Sequence, residues 1–231
     1  MRIKTTNTVS NAMIALCLVS AASTASAEIM SRAADGVSRI LFTTPGELLV
    51  RYGAEEKLTV EAEPKVLAQM NISLKGDTLT LASKGSFKTD KPLKFTLTIK
   101  SFRSIKSDAS GNAQIEGFSG TDMELEAAGS GDLGLKNIKP GKLKIALTGS
   151  GNVKATGSGK SLLASIDGSG NIDTVKFLAQ AVDARIVGSG DIRVHADQTL
   201  NASISGAGNI EFEGKAKVTQ SITGAGSIER L

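Results

Sequence analysis

Beyond residue 109, apolar side chains fall on every second position in short runs. Leu143, Ile145 and Leu147 form one such run; Leu162, Ala164 and Ile166, then Val182, Ala184 and Ile186, then Leu200, Ala202 and Ile204 repeat it. Polar or small residues such as Lys144, Asp183, Asn201 and Ser203 separate them. A period of two is that of a strand with one face buried. Each run leads into a glycine-rich motif: Ala109-Ser110-Gly111-Asn112, Gly129-Ser130-Gly131-Asp132, Gly149-Ser150-Gly151-Asn152, Gly168-Ser169-Gly170-Asn171, Gly188-Ser189-Gly190-Asp191, Gly206-Ala207-Gly208-Asn209 and Gly224-Ala225-Gly226-Ser227. Their first positions are 20, 20, 19, 20, 18 and 18 residues apart. Alternation then resumes: Leu133, Val153, Ile172, Ile192, Ile210 and Ile228 hold one position, and Leu135, Ala155, Thr174, Val194 and Phe212 the next inward one. Each repeat therefore predicts strand, tight turn, strand and a looser return.

A unit of 18 to 20 residues is too short to carry a crossover helix between parallel strands. It suits one coil of a β-solenoid, whose equivalent residues stack at about 4.8 Å. Ile166, Ile186, Ile204 and Ile222 would form one apolar column. Ile172, Ile192, Ile210 and Ile228 would face it from a second sheet. The expected fold is all-β: a single-stranded parallel β-helix of about seven coils, standing ~30 Å tall.

Residues 37–107 are β-rich but irregular. Candidate strands are Leu48–Tyr52, Leu58–Ala62, Asn71–Lys75, Thr78–Ala82 and Leu93–Ile99, with a short hairpin turn at Gly76-Asp77 and a polar loop over 83–92. This part should cap or begin the solenoid, because an open coil end exposes unpaired backbone. Three segments are expected: 1–27 as a cleaved signal peptide, 28–107 as the irregular cap, and 108–231 as the repeat solenoid.

Composition fits thin stacked layers. Glycine is frequent at 25, aromatics make up 3%, and tryptophan is absent. The N-terminus has the features of an export signal: Arg2 and Lys4, an apolar stretch from Ala12 to Ala22, and a small-x-small site at Ala25-Ser26-Ala27. That stretch is too short to span a bilayer, and no later segment is long enough to cross as a helix. Leu16 precedes Cys17 where a lipobox needs a small residue, which argues against a lipid anchor. Cys17 is the only cysteine, so the processed chain could form no disulfide or thiolate metal site. Removing Arg2 and Lys4 lowers the net charge from +4 to +2, too balanced to indicate nucleic acid as partner. The expected location is the periplasm, the cell surface or the medium.

The serial GSGN and GSGD turns, their flanking alternation, the irregular β-rich lead-in and the export signal resemble the auto-transporter adhesin head, or GIN-domain, family of secreted bacterial proteins. The resemblance covers about residues 36–231. It implies a β-helix similar in shape to pectate lyases, with the GSG motif at the turn between sheets. It also implies a role in cell-surface adhesion and brings no catalytic residues. With Leu231 three residues beyond Ile228, no C-terminal membrane barrel is expected.

The chemical candidates are few. Asn112, Asp132, Asn152, Asn171, Asp191 and Asn209 should stack in a ladder. It could bind cations, or serve as corner chemistry through positive φ and side chain to backbone hydrogen bonds. Four of the six are neutral, which favours the corner role. Gly157-Ser158-Gly159-Lys160-Ser161 approaches a phosphate loop but lacks its preceding loop and following helix. His195, the only histidine, should point outward into solvent. Asp173, Asp183, Arg185, Asp191 and Arg193 could meet on an outer face, as in polysaccharide-cleaving β-helices, but paired surface charges more often aid solubility.

No catalytic, cofactor-binding or metal residue is therefore assigned. The leading expectation is a non-enzymatic binding protein for an unknown protein or glycan, with association through solenoid ends or faces left open. The alternatives are a carbohydrate-active enzyme on the same scaffold and a periplasmic structural protein.

Overall fold

The computed structural model describes residues 27–231, so the expected signal segment lies outside the described residues, apart from its last residue. The N-terminal part contains β1 (Glu28–Ala33), β2 (Arg39–Phe42), β3 (Glu47–Tyr52), β4 (Lys57–Ala62), helix α1 (Pro64–Leu67), β5 (Met70–Lys75), β6 (Thr78–Ser83), β7 (Lys94–Ile99) and β8 (Ser104–Ser107). The repeats supply β9 (Asn112–Glu116), β10 (Ser119–Ala127), β11 (Leu133–Leu147), β12 (Asn152–Gly168), β13 (Asn171–Gly188), β14 (Ile192–Gly206), β15 (Ile210–Glu213), β16 (Lys217–Gly224) and β17 (Ile228–Arg230). Strand accounts for 67% of the structure, and the solenoid makes about six turns, close to the seven coils expected.

The inward columns are those the periodicity predicts. Ile166, Ile186, Ile204 and Ile222 are register partners on successive strands, as are Ile172, Ile192, Ile210 and Ile228. All but the terminal pair are buried. Thr174 is also fully inward; its hydroxyl donates to the Arg193 carbonyl at 3.1 Å, which satisfies a polar group inside the stack.

The looser return is instead a third ladder. Strand runs straight through it, with Gly157 paired to Ile138 below and Phe177 above. Phe177 is fully buried and occupies the space left by Gly159, where an added Cβ would lie 2.8 Å from the ring. The Gly157–Ser161 segment is thus part of a packed strand, not a phosphate loop.

Sequence order and stacking order differ at the N-terminal end. β2 pairs with β6 on one side and β8 on the other; β3 lies likewise between β7 and β9. The coil over 39–52 therefore sits between the coils over 78–99 and 104–116. Its turn at Pro45-Gly46-Glu47 stands where Ser110-Gly111-Asn112 stands one coil later, since Glu47 pairs with Asn112. The end is closed by reversal: β4 runs antiparallel on β7, β5 antiparallel on β6, and β1 antiparallel on β4. Helix α1 crosses between β4 and β5 and buries Val66. The β5–β6 hairpin turns at Gly76-Asp77 as expected.

Three carboxylates fasten this cap. Glu56 accepts the Lys100 N–H at 3.2 Å and the Gly36 N–H at 3.3 Å, and pairs with Lys100 Nζ at 3.3 Å. Glu63 accepts the Thr89 hydroxyl at 2.9 Å, and Asp77 accepts the Ser38 hydroxyl at 2.7 Å. Chiefly through these backbone and hydroxyl hydrogen bonds, all three carboxyls are held below their ordinary pKa. A depressed folded-state pKa contributes stability that is present above the ordinary carboxylate range and lost as pH falls through the folded value. The urea midpoint should accordingly drop between pH 6 and pH 3, and Glu63→Gln should flatten that slope. An unchanged slope in the variant would remove Glu63 from the account.

At the corners the coils touch through backbone. A Cβ added to Gly190 would lie 2.0 Å from the Gly170 carbonyl oxygen, and one on Gly208 equally close to that of Gly190. Backbone cannot swing aside as a flexible side chain can. Gly190→Ala should therefore cost about 3 kcal/mol of unfolding free energy. Gly85→Ala, where a Cβ meets nothing within 4 Å, should be neutral or slightly stabilising. Equal denaturant midpoints for the two variants would refute the corner-contact explanation.

Candidate binding face

The strands on the far side of each corner form one ladder, β7-β3-β9-β11-β12-β13-β14-β15-β17, and its outer surface carries three columns of side chains. The first is the Asn/Asp ladder, continued downward by Glu47. The second runs Leu49, Gln114, Gly134, Lys154, Asp173, Arg193 and Glu211. The third includes Arg51, Glu116 and Lys136. Alternation in a strand sends these residues outward because their neighbours fill the core.

The ladder is held by hydrogen bonds between coils. The Asn152 N–H donates to Asp132 Oδ1 at 2.9 Å, the Asp191 N–H to Asn171 Oδ1 at 3.1 Å, the Asn209 N–H to Asp191 Oδ1 at 2.9 Å and the Ser227 N–H to Asn209 Oδ1 at 3.1 Å. Side-chain amides add Asn152 to Asp132 and Asn171 to Asn152, at 2.9 and 3.0 Å. None of the six residues has positive φ; among the described non-glycine residues only Asn137 does. The expected left-handed conformation is thus corrected: the Asx side chain is needed as an acceptor for the next coil's backbone. The left-handed corner residue is the first glycine of later repeats, such as Gly188 at φ +126°.

This arrangement also removes the cation reading. Asp132 and Asp191 are three coils apart, about 14 Å. Among the described residues no three His, Cys, Asp or Glu side chains gather as metal ligands.

The ladder, the second column and Lys136 border a groove of about 930 Å³ that crosses the strands from β3 to β14. Gly134 leaves room for the Gln114 side chain. Gln114 lies against it, with Oε1 2.6 Å from where a Gly134 Cβ would stand. Gln114 Nε2 is covered and has no hydrogen-bond partner among the described residues. Charges along the groove alternate in sign, and several are paired: Arg193 with Glu211 at 2.9 Å, and Lys136 with Glu116 at 3.6 Å.

The five charged residues singled out in the sequence do not converge. Asp173, Asp191 and Arg193 line this groove, whereas Asp183 and Arg185 stand on the ladder before the corner, beside Asn201 and Ser203. Strand parity places all five outward, but only the coil path assigns them to different faces. His195 also departs from expectation. It is outward but largely covered: Nε2 lies 3.0 Å from Asp197 Oδ1, Nδ1 lies 3.8 Å from Glu213 Oε2, and the side chain is 18% exposed. Parity alone could not reveal Glu213, which arrives from the next coil. Gln114 and Gly134 were missed because neither residue type carries a chemical signal.

A family model described as "Putative auto-transporter adhesin, head GIN domain" matches residues 38–216. The chain belongs to this family. A putative adhesin from Bacteroides fragilis superposes with TM-score 0.84 at 24% identity, covering 89% of this chain and 97% of its own. A putative lipid binding protein from Parabacteroides distasonis gives TM-score 0.75 at 23% identity, covering 90% and 98%. A putative adhesin from Parabacteroides merdae gives 0.69 at 20%, covering 90% and 97%. These likenesses show a shared fold. No curated protein matches the chain. Among the described residues no helix is long and apolar enough to cross a membrane.

If the ladder is corner chemistry, the acceptor should matter and the charge should not. Asp191→Asn should leave the melting temperature nearly unchanged, and Asp191→Leu should cost about 1–2 kcal/mol by stranding the Asn209 N–H. Millimolar calcium should move neither curve; a calcium-dependent rise lost in Asp191→Asn would restore the cation reading.

Proposed function

We propose that this GIN-domain protein is an exported, non-enzymatic binding protein that uses the groove beside the Asn/Asp ladder to engage a surface ligand, protein or glycan, in adhesion. The observation that carries the reading is the groove itself: it spans six stacked strands, borders on both signs of charge, and holds over Gly134 the Gln114 amide, whose Nε2 has no hydrogen-bond partner among the described residues. Its shape suits an elongated ligand lying along the stack. Family membership supports a binding role and an exported location. The enzymatic alternative draws no support from the geometry, since Asp183 and Arg185 stand on a different face from Asp173, Asp191 and Arg193.

Gly134→Arg places a long side chain in the middle of the groove and must displace the Gln114 amide, which lies 2.6 Å from where its Cβ would stand. Cells displaying this variant should adhere at least about tenfold less than the parent, while Asp183→Ala on the other face should adhere normally. Equal adhesion by both variants would move the binding site elsewhere. Confinement of the chain to the periplasm would sink surface adhesion, and release of unsaturated sugars from an acidic polysaccharide would sink the non-enzymatic reading.

A further inference from the structure

The ladder before the corner carries a second hollow, toward its N-terminal end. A pocket of about 440 Å³ lies where β2, β8, β10 and β11 stack side by side, and it shares no lining residue with the groove. One column of side chains crosses it in register: Arg39, Ser104, Glu124 and Lys144. Ser104 is the short member, so the surface dips between its long neighbours. Thr121, Asp122 and Lys142 border the same space, with Arg103 from the segment just before β8.

The charges here are only partly matched. Arg39 pairs with Asp77 at 3.3 Å, and Lys144 pairs with Glu124. Arg103, Lys142 and Asp122 make no ion pair and no side-chain hydrogen bond among the described residues. Asp122 and Lys142 are register partners, as Glu124 and Lys144 are, yet only the longer glutamate reaches its lysine. Glu126 reaches Lys106 in the same way, at 3.3 Å. Aspartate is one methylene shorter, so position 122 leaves both its own carboxylate and Lys142 free.

Two free cations on one pocket call for an anion. Arg103 and Lys142 stand two coils apart, about 10 Å, a span that two long side chains close over the shorter Thr121 and Asp122 between them. A guanidinium presents its donors as a fork that fits two oxygens of one oxyanion. A phosphate monoester carries about 1.5 to 2 negative charges at pH 7, which answers both cations. A bare ion would fill little of the space, since even a water takes only about 30 Å³. The remaining lining suits hydroxyls: Ser104 and Thr121 donate or accept, and the Asp122 carboxylate accepts. Met123 is the one apolar lining residue and is itself buried, so nothing there would hold an acyl chain or stack a nucleobase.

We propose that this pocket binds a sugar phosphate, with Arg103 and Lys142 on the phosphate and Asp122, Thr121 and Ser104 on the sugar hydroxyls. The free carboxylate and the free cations then have one explanation, because each meets a different part of the same ligand. The site is separate from the groove and does not depend on what the groove binds.

Glucose 6-phosphate titrated into the nitrogen-15-labelled full chain should bind with a dissociation constant of roughly 0.3 mM, the value that ordinary ligand efficiency gives a molecule of its size. The amides of Arg103, Thr121, Asp122 and Lys142 should shift. Arg103→Ala and Lys142→Ala should each weaken binding about tenfold. Neither should move the melting temperature, because both side chains are exposed. Lys215→Ala removes an exposed lysine from a distant coil and should change nothing.

Asp122→Ala separates the sugar from the phosphate. It should weaken glucose 6-phosphate about fivefold by removing a hydroxyl acceptor, and it should tighten inorganic phosphate by removing a negative charge. Absence of saturation at millimolar concentration would overturn the proposal. So would inorganic phosphate binding as tightly as glucose 6-phosphate, which leaves an adventitious ion only, or a tightening of both ligands in Asp122→Ala.

Discussion

The distance between coils governs this molecule. Parallel strands joined by backbone hydrogen bonds stack about 4.8 Å apart, and at the corners that spacing brings one coil's carbonyl to 2.0 Å from where the next coil's Cβ would be. Only glycine satisfies it. Because the motif is met at every turn, each coil has to reproduce the one below it. Similar side chains then fall into columns, and the repeat core is filled mostly by Ile, Leu, Val and Ala, while Phe42, Phe95, Phe102 and Phe118 are buried toward the N-terminal end. Within the repeats, Phe177 fits because Gly159 beneath it leaves room.

The hydrogen-bond ladder of Asn and Asp follows from the same corners. A sharp turn takes the backbone out of its regular pairing, and a buried or crowded N–H left without an acceptor is costly. All of the Asx side chains but Asn152 supply that acceptor to the coil above, and Asn152 Oδ1 accepts the Asn171 side-chain amide instead. Asn and Asp are interchangeable there because both present Oδ1. The feature that makes the sequence recognisable is thus used up in holding the stack together. The outward residues between the corners are left to vary, and the groove around Gly134 is built from them.

A solenoid also has to finish. At the N-terminal end of the stack it does so by reversing direction, with α1 turning the path and the Glu56, Glu63 and Asp77 carboxylates fastening the cap to loop residues Gly36, Thr89 and Ser38, 20 to 39 positions away in sequence. The far end has no reversed coil among the described residues, so its last isoleucines keep the inward positions of a core without the cover of one.

Much of this was legible in the residues. Period-two alternation identified the strands, and most N-terminal boundaries agree within one residue, as at β3, β4 and β7. Repetition identified the coil and its inward columns, because a repeated unit can bury its apolar face only against its own copies. Three things depended on the path through space. The coil at 39–52 lies between two coils that come later in the chain, since its Pro45-Gly46-Glu47 corner serves the stack without sharing the motif. The charged residues near 173–193 divide between two faces, because parity says outward without saying from which side. Gln114 and Gly134 form a groove only when successive coils bring them together. Local pattern determined how each strand is built and which side it buries; tertiary structure decided which strands are neighbours, because pairing is set by contacts between residues a full coil or more apart.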